Sequence, residues 1–594
     1  MRHRLVGVLA VFALLLSCGT AVAAPPVESS QPVYSYANAI RQTAWVDTGM
    51  PGVRVAADII RPSEPAAQGR KVPVIMEASP YFSCCGRGNE SQKKTYDAQG
   101  NPVQFPEFYD NYFVPRGYAV VLVDLAGTGR SQGCVDLGGP SDVRSATAVI
   151  NWLNGRARAY TSPSSATPMV ANWSTGSVGM VGKSYDATIA EAVAATGVPG
   201  LKTIVPVEAI SSWYDYYFSD GATYAGDSPA TLVSGVETAN GGQDCTTATA
   251  AVASGSDTGG DLSPFWAQRD YLRTGWRATA SEFVVAGLQD SNVKTNNFGQ
   301  WWTMLSAHNV PRKLWLSQTG HVDPFDFRRA DWVQTLQQWF DYWLMGMQNG
   351  VMDQPMASVE RDPGQWSDSA TWPPAGTRET ALFPAASGLD RTPGTGTASF
   401  TDDPSQNEFS WAAPGPAAQQ GDRLLFSTGP LASPVHLAGT GSVTVTVTPS
   451  TPTANLSAVL VDYGPQTIRD YLDPLGGITT LSTRSCWGEG DAGDTGCFDD
   501  TAADTMSIDW NVFSRGWADL ANYASLASKA TLLPGKPYTI TFTLDTTDHV
   551  IPAGHQLALI IGGTDGAAIL PPADPPTLSV DLSRTVLHLP LAGA

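Results

Sequence analysis

Residues 177–196 read SVGMVGKSYDATIAEAVAAT, and this stretch decides the predicted fold. An apolar run typical of a strand is followed by GKSYDA (182–187) and then by a helical pattern. A tight turn between a strand and a helix lifts a serine hydroxyl clear of the sheet and aims the helix N-terminus at it. Gly182 is small enough for such a turn, although Asp186 replaces the second glycine of the G-x-S-x-G pattern. We therefore predict that Ser184 is a nucleophile.

Two nucleotide-binding motifs match only in part. The letters GKS end a phosphate-binding loop, but that motif needs a glycine where Ser177 stands. The segment GTGRSQG (127–133) hints at a dinucleotide fingerprint, yet its third glycine is misplaced. We therefore predict no cofactor. A serine in an ordinary strand–helix turn remains the alternative for Ser184 until its partners are considered.

A serine nucleophile needs a base and an acid, and few residues qualify. His308 and His321 are the histidines that follow Ser184 within the α/β part of the chain. His321 is favoured because it follows the predicted strand KLWLSQ at its C-terminal end, where the sites of α/β proteins lie. Asp290 follows the predicted strand EFVVAGL, between serine and histidine in chain order. These positions predict a Ser184–Asp290–His321 triad.

The developing oxyanion of such a reaction needs hydrogen-bond donors. One donor is expected to be the backbone N–H of Tyr185, directly after the nucleophile. The other should come from the loop after the predicted strand VPVIMEA, where SPYF places the phenol of Tyr81. A tyrosine packed in the core is the alternative for Tyr81. No metal is predicted, because the cysteines show neither a C-x-x-C spacing nor a nearby histidine.

Predicted strands alternate with helices over the first part of the chain, which indicates a mostly parallel sheet covered on both faces. An aromatic, glycine-rich insertion at about 215–280 is expected to cap the catalytic edge. Beyond about residue 352, strand-like runs separated by Pro, Gly and Asp turns replace the helical periodicity. We predict an α/β-hydrolase domain (24–352) with a helical cap, followed by an all-β jelly-roll domain (353–594).

Composition excludes several partners. The chain has 594 residues, with 35 Lys+Arg against 55 Asp+Glu and a formal net charge of -20. This acidic balance provides no electrostatic attraction for nucleic acid or for an anionic membrane surface. We therefore predict neither as a partner.

The N-terminus has the features of a secretory signal peptide (1–23). A basic start is followed by an apolar run too short to span a bilayer and by small residues ending at Ala23. We predict cleavage near Ala23 and secretion. Lipoprotein processing at Cys18 is the alternative.

Six cysteines follow the predicted signal peptide, and an even number in an oxidising compartment predicts disulfides. Cys486 and Cys497 flank a loop rich in Gly and Asp and are expected to pair. Cys134 is expected to pair with Cys84 or Cys85.

The stretch GKSYDATIAEAVAATGVPGLKTIVPVEAISSWYDYY resembles the Xaa-Pro dipeptidyl-peptidases and the related cocaine esterases and α-amino-acid ester hydrolases. The segments SPYF, GLQDSNVK and WFDYWLMGMQNGV carry the same resemblance, which runs from about residue 44 to the end. It implies an α/β-hydrolase with a helical cap and a C-terminal jelly roll. Ser184, Asp290 and His321 match the triad of these families, and Tyr81 matches the oxyanion tyrosine.

The reaction implied by this resemblance is release of an N-terminal X-Pro dipeptide through an acyl-enzyme. The partners are then peptides with proline second from the N-terminus. Such a substrate needs an apolar slot for the proline ring and a carboxylate for the ammonium group. The candidates for the slot are Trp213, Tyr214, Trp301 and Trp302, and those for the carboxylate are Glu208, Asp215, Asp220 and Asp227.

Two other functions remain open. A secreted esterase or amidase of the cocaine-esterase type would use the same triad. A non-catalytic protein whose β-rich part binds a carbohydrate or a cell wall would hydrolyse no substrate. An amine-binding carboxylate distinguishes the peptidase from the esterase, and the behaviour of Ser184→Ala distinguishes both from the binding protein.

Overall fold

The computed structural model describes residues 28–238, 243–418 and 420–593. The predicted signal peptide and Cys18 lie outside the described residues. Within these ranges no helix is long and apolar enough to cross a membrane.

The N-terminal part is built on an eleven-stranded sheet. Its strands, in sheet order, are Gln365–Ser369, Ala357–Asp362, Arg312–Ser317, Ser281–Gly287, Leu201–Val207, Ser174–Lys183, Val72–Ser79, Ala119–Asp124, Arg54–Arg61, Ile40–Asp47 and Ala159–Tyr160. The strands from Ala357–Asp362 to Ala119–Asp124 run parallel, and those at the two ends pair antiparallel. The carboxyl ends of the parallel strands therefore meet at one edge, where α/β proteins place their sites.

Helices cover both faces of this sheet, as the alternating pattern predicts. They are Ser63–Ala67, Tyr109–Phe113, Pro140–Leu153, Tyr185–Ala194, Asn296–Ala307, Pro324–Phe327 and Arg329–Met345, with a 3-10 turn at Val351–Asp353. The described residues of the predicted insertion, which leave out 239–242, form five short helices: Trp213–Tyr217, Pro229–Val236, Thr246–Ser256, Pro264–Ala267 and Leu272–Gly275. Two-stranded pairs join Thr95–Tyr96 to Pro102–Gln104 and Phe218–Ser219 to Ala222–Thr223.

The C-terminal part, as far as the structure describes it, is almost entirely β, as predicted, with a short helix at Glu408–Ala412 and 3-10 turns at Leu520–Asn522 and Leu582–Arg584. Its nine-stranded sheet contains Arg378–Ala385, Gly388–Asp390, Thr397–Thr401, Val435–Gly439, Ser442–Pro449, Tyr538–Thr543, Thr547–Ile551, Thr577–Asp581 and Val586–Ala592. A four-stranded sheet contains Arg423–Ser427, Gln556–Gly562, Asn455–Arg469 and Thr505–Asp519, and a separate pair joins Ile478–Cys486 to Cys497–Ala503. Apolar residues alternate along these strands and form a core of their own.

The first sheet continues past the expected domain boundary at residue 352. Strands Ala357–Asp362 and Gln365–Ser369 add to its edge before the chain enters the β-rich part. These two strands are short and partly exposed, so their sequence pattern resembles that of the following β strands. Position 352 therefore remains a prediction for the boundary of an independent domain.

The cysteine predictions are confirmed in one case and wrong in the other. Cys486 is bonded to Cys497, whereas Cys134 is bonded to Cys245 and Cys84 to its neighbour Cys85. Cys245 precedes a helix of the insertion that lies against the loop carrying Cys134. A separation of 111 residues leaves no local sequence signal for that contact.

A buried ion pair joins the two parts of the chain. Arg469, at the end of a β-domain strand, places Nε 3.0 Å from both carboxylate oxygens of Glu360 and Nη2 2.8 Å from Oε1. Its Nη1 also donates to the carbonyl of Gly477 at 2.9 Å. Because Glu360 is on strand Ala357–Asp362 of the first sheet, this bidentate contact fixes the β domain against that sheet.

Replacing Arg469 with methionine is expected to lower the free energy of unfolding by about 3–5 kcal/mol, because the charge of Glu360 is then buried without its partner. Urea denaturation followed by tryptophan fluorescence measures the effect. The double variant with Glu360→Leu is the control and should recover most of the loss. A single-variant loss below about 1 kcal/mol would contradict a stabilising role for the ion pair.

Candidate active site

Ser184 occupies the turn between strand Ser174–Lys183 and helix Tyr185–Ala194. Its φ of 63° and ψ of -124° are unusual for a residue with a side chain and cost about 1–3 kcal/mol, a strain that collects at functional sites. A Cβ on Gly182 would lie 2.7 Å from the Cβ of Asp186, so the turn closes only around glycine. This is the geometry of a nucleophile elbow.

Asp186, which departs from the G-x-S-x-G pattern, has a partner inside the protein. Its Oδ2 lies 2.9 Å from Nε of the buried Arg87, and Nη2 of Arg87 donates to the Lys183 carbonyl at 3.3 Å. Arg87 also lies 5.9 Å from the ring centroid of Tyr81. The aspartate therefore ties the elbow to the loop that carries Tyr81.

Asp290 and His321 follow neighbouring parallel strands, and their side chains meet. The Oδ2 of Asp290 lies 2.6 Å from Nδ1 of His321. Its other oxygen accepts hydrogen bonds from the backbone N–H groups of Asn292 and Val293, both at 2.8 Å. A carboxylate held in this way fixes the tautomer of the imidazole, with Nδ1 protonated and Nε2 free to accept a proton.

A second carboxylate lies beside the same imidazole. The Oε2 of Glu208 is 3.0 Å from Nδ1 of His321, and its Oε1 accepts the N–H of Val322 at 3.1 Å. The side chain of Glu208 is buried beside Nδ1 of His321. It therefore does not take the role of binding the substrate amine, for which the sequence analysis named it as a candidate. Burial lowers the pKa of His321, but Asp290 and Glu208 outweigh it and raise the pKa to about 9.

The two residues predicted to supply the oxyanion donors contact each other through their rings. Tyr185 begins the helix after the elbow, where the first backbone N–H groups have no partner within the helix. The ring of Tyr81 lies edge-on to the ring of Tyr185, with centroids 6.0 Å apart. Burial raises the pKa of Tyr81, so its hydroxyl remains protonated and able to donate.

The four aromatic residues predicted to line a proline slot are interior side chains. Trp213 and Trp301 have no exposed surface, and Tyr214 and Trp302 have 3% and 1%. The N–H or O–H group of each ring donates a hydrogen bond within the protein: Trp213 to Tyr271, Tyr214 to Gly260, Trp301 to Glu282 and Trp302 to Trp372. The structure places them in the core, which is where aromatic residues in apolar segments are common.

Three further candidates for the substrate amine are acidic residues of the insertion. Asp215 accepts a hydrogen bond from Gln300, Asp220 accepts one from the backbone of Thr543, and Asp227 is exposed. None of them lines the cavity beside His321.

That cavity has a volume of about 520 Å³ and takes one wall from the β domain. The loop 471–476 contributes this wall, and the Gly476 carbonyl accepts the N–H of Gly320 at 3.0 Å. The hydrolase part contributes Lys183 and His321 together with the carboxylates of Glu107, Asp323 and Asp326. The sequence analysis missed the loop 471–476, because this loop lies some 150 positions from His321 and no motif marks it.

An elbow serine with an Asp–His pair at the ends of neighbouring parallel strands is the arrangement of the α/β-hydrolases. Comparison with known families agrees with this class. Residues 51–323 match the X-Pro dipeptidyl-peptidase (S15) family, and residues 349–593 match the X-Pro dipeptidyl-peptidase C-terminal non-catalytic domain. The chain therefore belongs to the X-Pro dipeptidyl-peptidase family of serine hydrolases.

Curated relatives support this assignment. A putative Xaa-Pro dipeptidyl-peptidase of Streptomyces avermitilis is 54% identical, over 98% of this chain and 88% of the relative. A Xaa-Pro dipeptidyl-peptidase of Lacticaseibacillus casei is 30% identical, over 94% of this chain and 78% of the relative. The family resemblance stated from the sequence is confirmed.

Solved structures share the fold at low sequence identity. An α-amino acid ester hydrolase has a TM-score of 0.64 at 17% identity and covers 98% of this chain and 100% of its own. A CocE/NonD family hydrolase from Staphylococcus aureus has a TM-score of 0.66 at 15% identity, over 93% of this chain and 94% of its own. These likenesses concern the fold alone.

Proposed function

We propose that the protein is a secreted serine exopeptidase that releases X-Pro dipeptides from the N-termini of peptides. The observation that carries this proposal is the 2.6 Å contact between Asp290 and His321 at the sheet edge that holds the Ser184 elbow, in a chain of this family. The names of the relatives supply the preference for proline at the second position.

In the first half of the reaction, Ser184 Oγ attacks the carbonyl carbon of the proline residue, and Nε2 of His321 accepts the hydroxyl proton. Asp290 stabilises the imidazolium that forms. The carbonyl oxygen becomes an oxyanion, to which Tyr185 N–H and the phenol of Tyr81 donate. His321 then gives its proton to the departing amine as the C–N bond breaks, leaving the dipeptide esterified to Ser184.

In the second half, water attacks this ester with His321 again accepting a proton. The second tetrahedral intermediate collapses, the proton returns to Ser184, and the free X-Pro dipeptide leaves. Both halves use the same donors for the oxyanion.

The cavity beside His321 is suited to a cationic peptide terminus. Glu107, Asp323 and Asp326 face it, with Lys183 as the opposing charge. The insertion closes one side, since Tyr216 of its first helix contacts Asn292 at 3.2 Å, two residues from Asp290. We assign the insertion the role of a cap and the β domain, as a jelly roll, the role of the opposite wall.

Secretion is part of the same proposal. It is supported by the N-terminal signal pattern and by three disulfides, which persist in oxidising compartments. N-terminal sequencing of the protein from culture medium tests it, with a mature terminus near Ala24 as the expected result.

Initial rates on Ala-Pro p-nitroanilide, its N-acetyl derivative and p-nitrophenyl butyrate test the activity. Turnover of the free-amine dipeptide that is lost on acetylation is expected, because a cavity lined by carboxylates favours the ammonium form of the terminus. Turnover of the butyrate alone would instead assign an esterase, the alternative that the fold of the α-amino acid ester hydrolase keeps open.

Replacing Tyr81 with phenylalanine is expected to lower kcat by about 10–1000-fold with little change in KM, because the lost hydroxyl acts on the transition state. Steady-state kinetics on Ala-Pro p-nitroanilide separate the two parameters. Tyr96→Phe, which alters a phenol bonded to Asp58 on another part of the sheet, is the matched control. A rise in KM at constant kcat would make Tyr81 a binding residue.

The pH profile should be shifted to alkaline values. His321 acts as a base only when it is neutral, so kcat/KM for the ammonium form of the substrate, whose amine itself loses its proton near pH 8, is expected to rise with pH through a midpoint near 9, the raised pKa of His321. Rates measured from pH 5 to pH 10 locate this midpoint. A midpoint at or below 6.5 would show that the carboxylates do not raise the proton affinity of the imidazole.

A further inference from the structure

The backbone conformation of Glu208 is neither that of a helix nor that of a strand. It directly follows strand Leu201–Val207, has a φ of 52°, and donates its N–H to the Val285 carbonyl at 2.8 Å. A Cβ on Gly287 of the neighbouring strand would lie 3.2 Å from Oε1 of Glu208 and 2.2 Å from the Gly320 carbonyl oxygen. The backbone of Glu208 is strained by its positive φ, and Gly287 has no side chain. Together these two features leave room for the Glu208 carboxylate.

The two oxygens of Glu208 face different parts of the histidine loop. Oε1 accepts the N–H of Val322, so it holds the backbone next to His321. Oε2 is buried, has no hydrogen-bond donor of its own among the described residues, and lies 3.0 Å from Nδ1. Asp290 already takes the short hydrogen bond from Nδ1, at 2.6 Å. Oε2 is therefore directed at the imidazole as a charge.

Burial raises the pKa of the Glu208 carboxyl and His321 opposes that rise, so the charge on Glu208 is stable only when a cation compensates it. The charged groups that face the ring are Asp290, Glu208 and Lys183, whose Nζ donates to the His321 carbonyl at 3.1 Å. Lys183 opposes protonation of the ring, and the two carboxylates favour it. The negative charges of Glu208 and Asp290 are compensated best when the imidazole of His321 is protonated. The imidazolium is therefore the favoured form in this cluster.

We propose that Glu208 is a positioning residue that acts through His321. It holds the histidine loop through Val322, and it raises the proton affinity of the imidazole beyond what Asp290 alone provides. This inference rests on the proposed role of His321 as the base. It deepens that role without adding a contact to the substrate.

A metal ion is the other ligand that such a cluster suggests, since the ligand atoms of Glu208, Asp290 and His321 lie within 4.8 Å of one another. The 2.6 Å between Nδ1 and the Asp290 oxygen is a hydrogen-bond distance. Two ligands at about 2.1 Å from a tetrahedral ion would be roughly 3.4 Å apart. The geometry points to a proton between these groups.

The test is the pH dependence of Ser184 reactivity in Glu208→Gln, measured as the rate of inactivation by diisopropyl fluorophosphate and as kcat/KM for the ammonium form of the substrate. Removing the charge while keeping the amide oxygen for Val322 is expected to lower the midpoint of both profiles by about 1–3 pH units. The maximal rate should fall about 10-fold. Glu208→Asp keeps the charge, and its midpoint should stay near that of the wild type.

Glu191→Gln is the matched control, because Glu191 is equally buried and its Oε2 also has no hydrogen-bond partner in the described part of the chain. Its midpoint should not move. A lower rate in Glu208→Gln at an unchanged midpoint would make Glu208 merely structural and overturn the proposal. A higher KM alone, or loss of activity with EDTA, would do the same by assigning Glu208 to the substrate or to a metal.

The inactivation rate keeps this test separate from the peptidase proposal. Diisopropyl fluorophosphate reports on Ser184 and His321 whichever acyl group the protein accepts. If X-Pro substrates are not cleaved but the inactivation midpoint still falls in Glu208→Gln, the substrate assignment fails and the role of Glu208 stands. If Glu208→Gln does not fold, a wild-type inactivation midpoint at or below 6.5 overturns the inference by itself.

Discussion

Ser184→Ala is expected to lower kcat on Ala-Pro p-nitroanilide by about 10⁴–10⁶-fold, because no other group can form the acyl-enzyme. Alanine accepts the Ser184 backbone position at least as readily as serine does, so the elbow should remain intact. Stopped assays with concentrated protein measure the residual rate. Any residual activity would come from the oxyanion donors and from the orientation of the substrate when it is bound.

The control for this loss is structural integrity. Circular dichroism and the thermal midpoint of Ser184→Ala should match those of the wild type, since the substitution removes one oxygen from a half-buried side chain. Activity within about 10-fold of the wild type would exclude Ser184 as the nucleophile and leave the third function, a non-catalytic binding protein, in place.

Asp290→Asn is expected to lower kcat by about 10³–10⁴-fold with little change in KM. The amide oxygen of asparagine still accepts the N–H groups of Asn292 and Val293, so its NH₂ group faces Nδ1 of His321. That contact favours the tautomer with the proton on Nε2, which cannot accept the proton of Ser184. Steady-state kinetics at the pH optimum of each variant measure the loss.

Two comparisons make this second prediction specific. The loss in Asp290→Asn should exceed that in Glu208→Gln, because Asp290 makes the short hydrogen bond and Glu208 supplies charge at 3.0 Å. Asp581→Asn, which alters a carboxylate that caps a 3-10 turn of the β domain, should show a far smaller loss of kcat. Equal losses in Asp290→Asn and Glu208→Gln would mean that neither carboxylate alone fixes the tautomer.

The sequence determined the parts of this protein that depend on local periodicity. The apolar runs at 72–78 and 118–125 predicted buried strands because parallel strands covered on both faces need apolar side chains throughout. Ser184 was recognisable because a strand, a small residue and a helix in succession permit only a sharp turn. Asp290 and His321 followed from their positions directly after predicted strands.

The tertiary structure decided whatever depends on contacts between distant segments. Glu208 was one acidic residue among several in the sequence, and only the pairing of its strand with Ser281–Gly287 brings it to His321. Trp301 was indistinguishable from a wall of the substrate site until its burial against Glu282 was known. The loop 471–476 reaches the cavity because Arg469 binds Glu360. Side chains that meet through packing leave no periodic or short-range signal, so the sequence fixes their chemistry while the fold decides their neighbours.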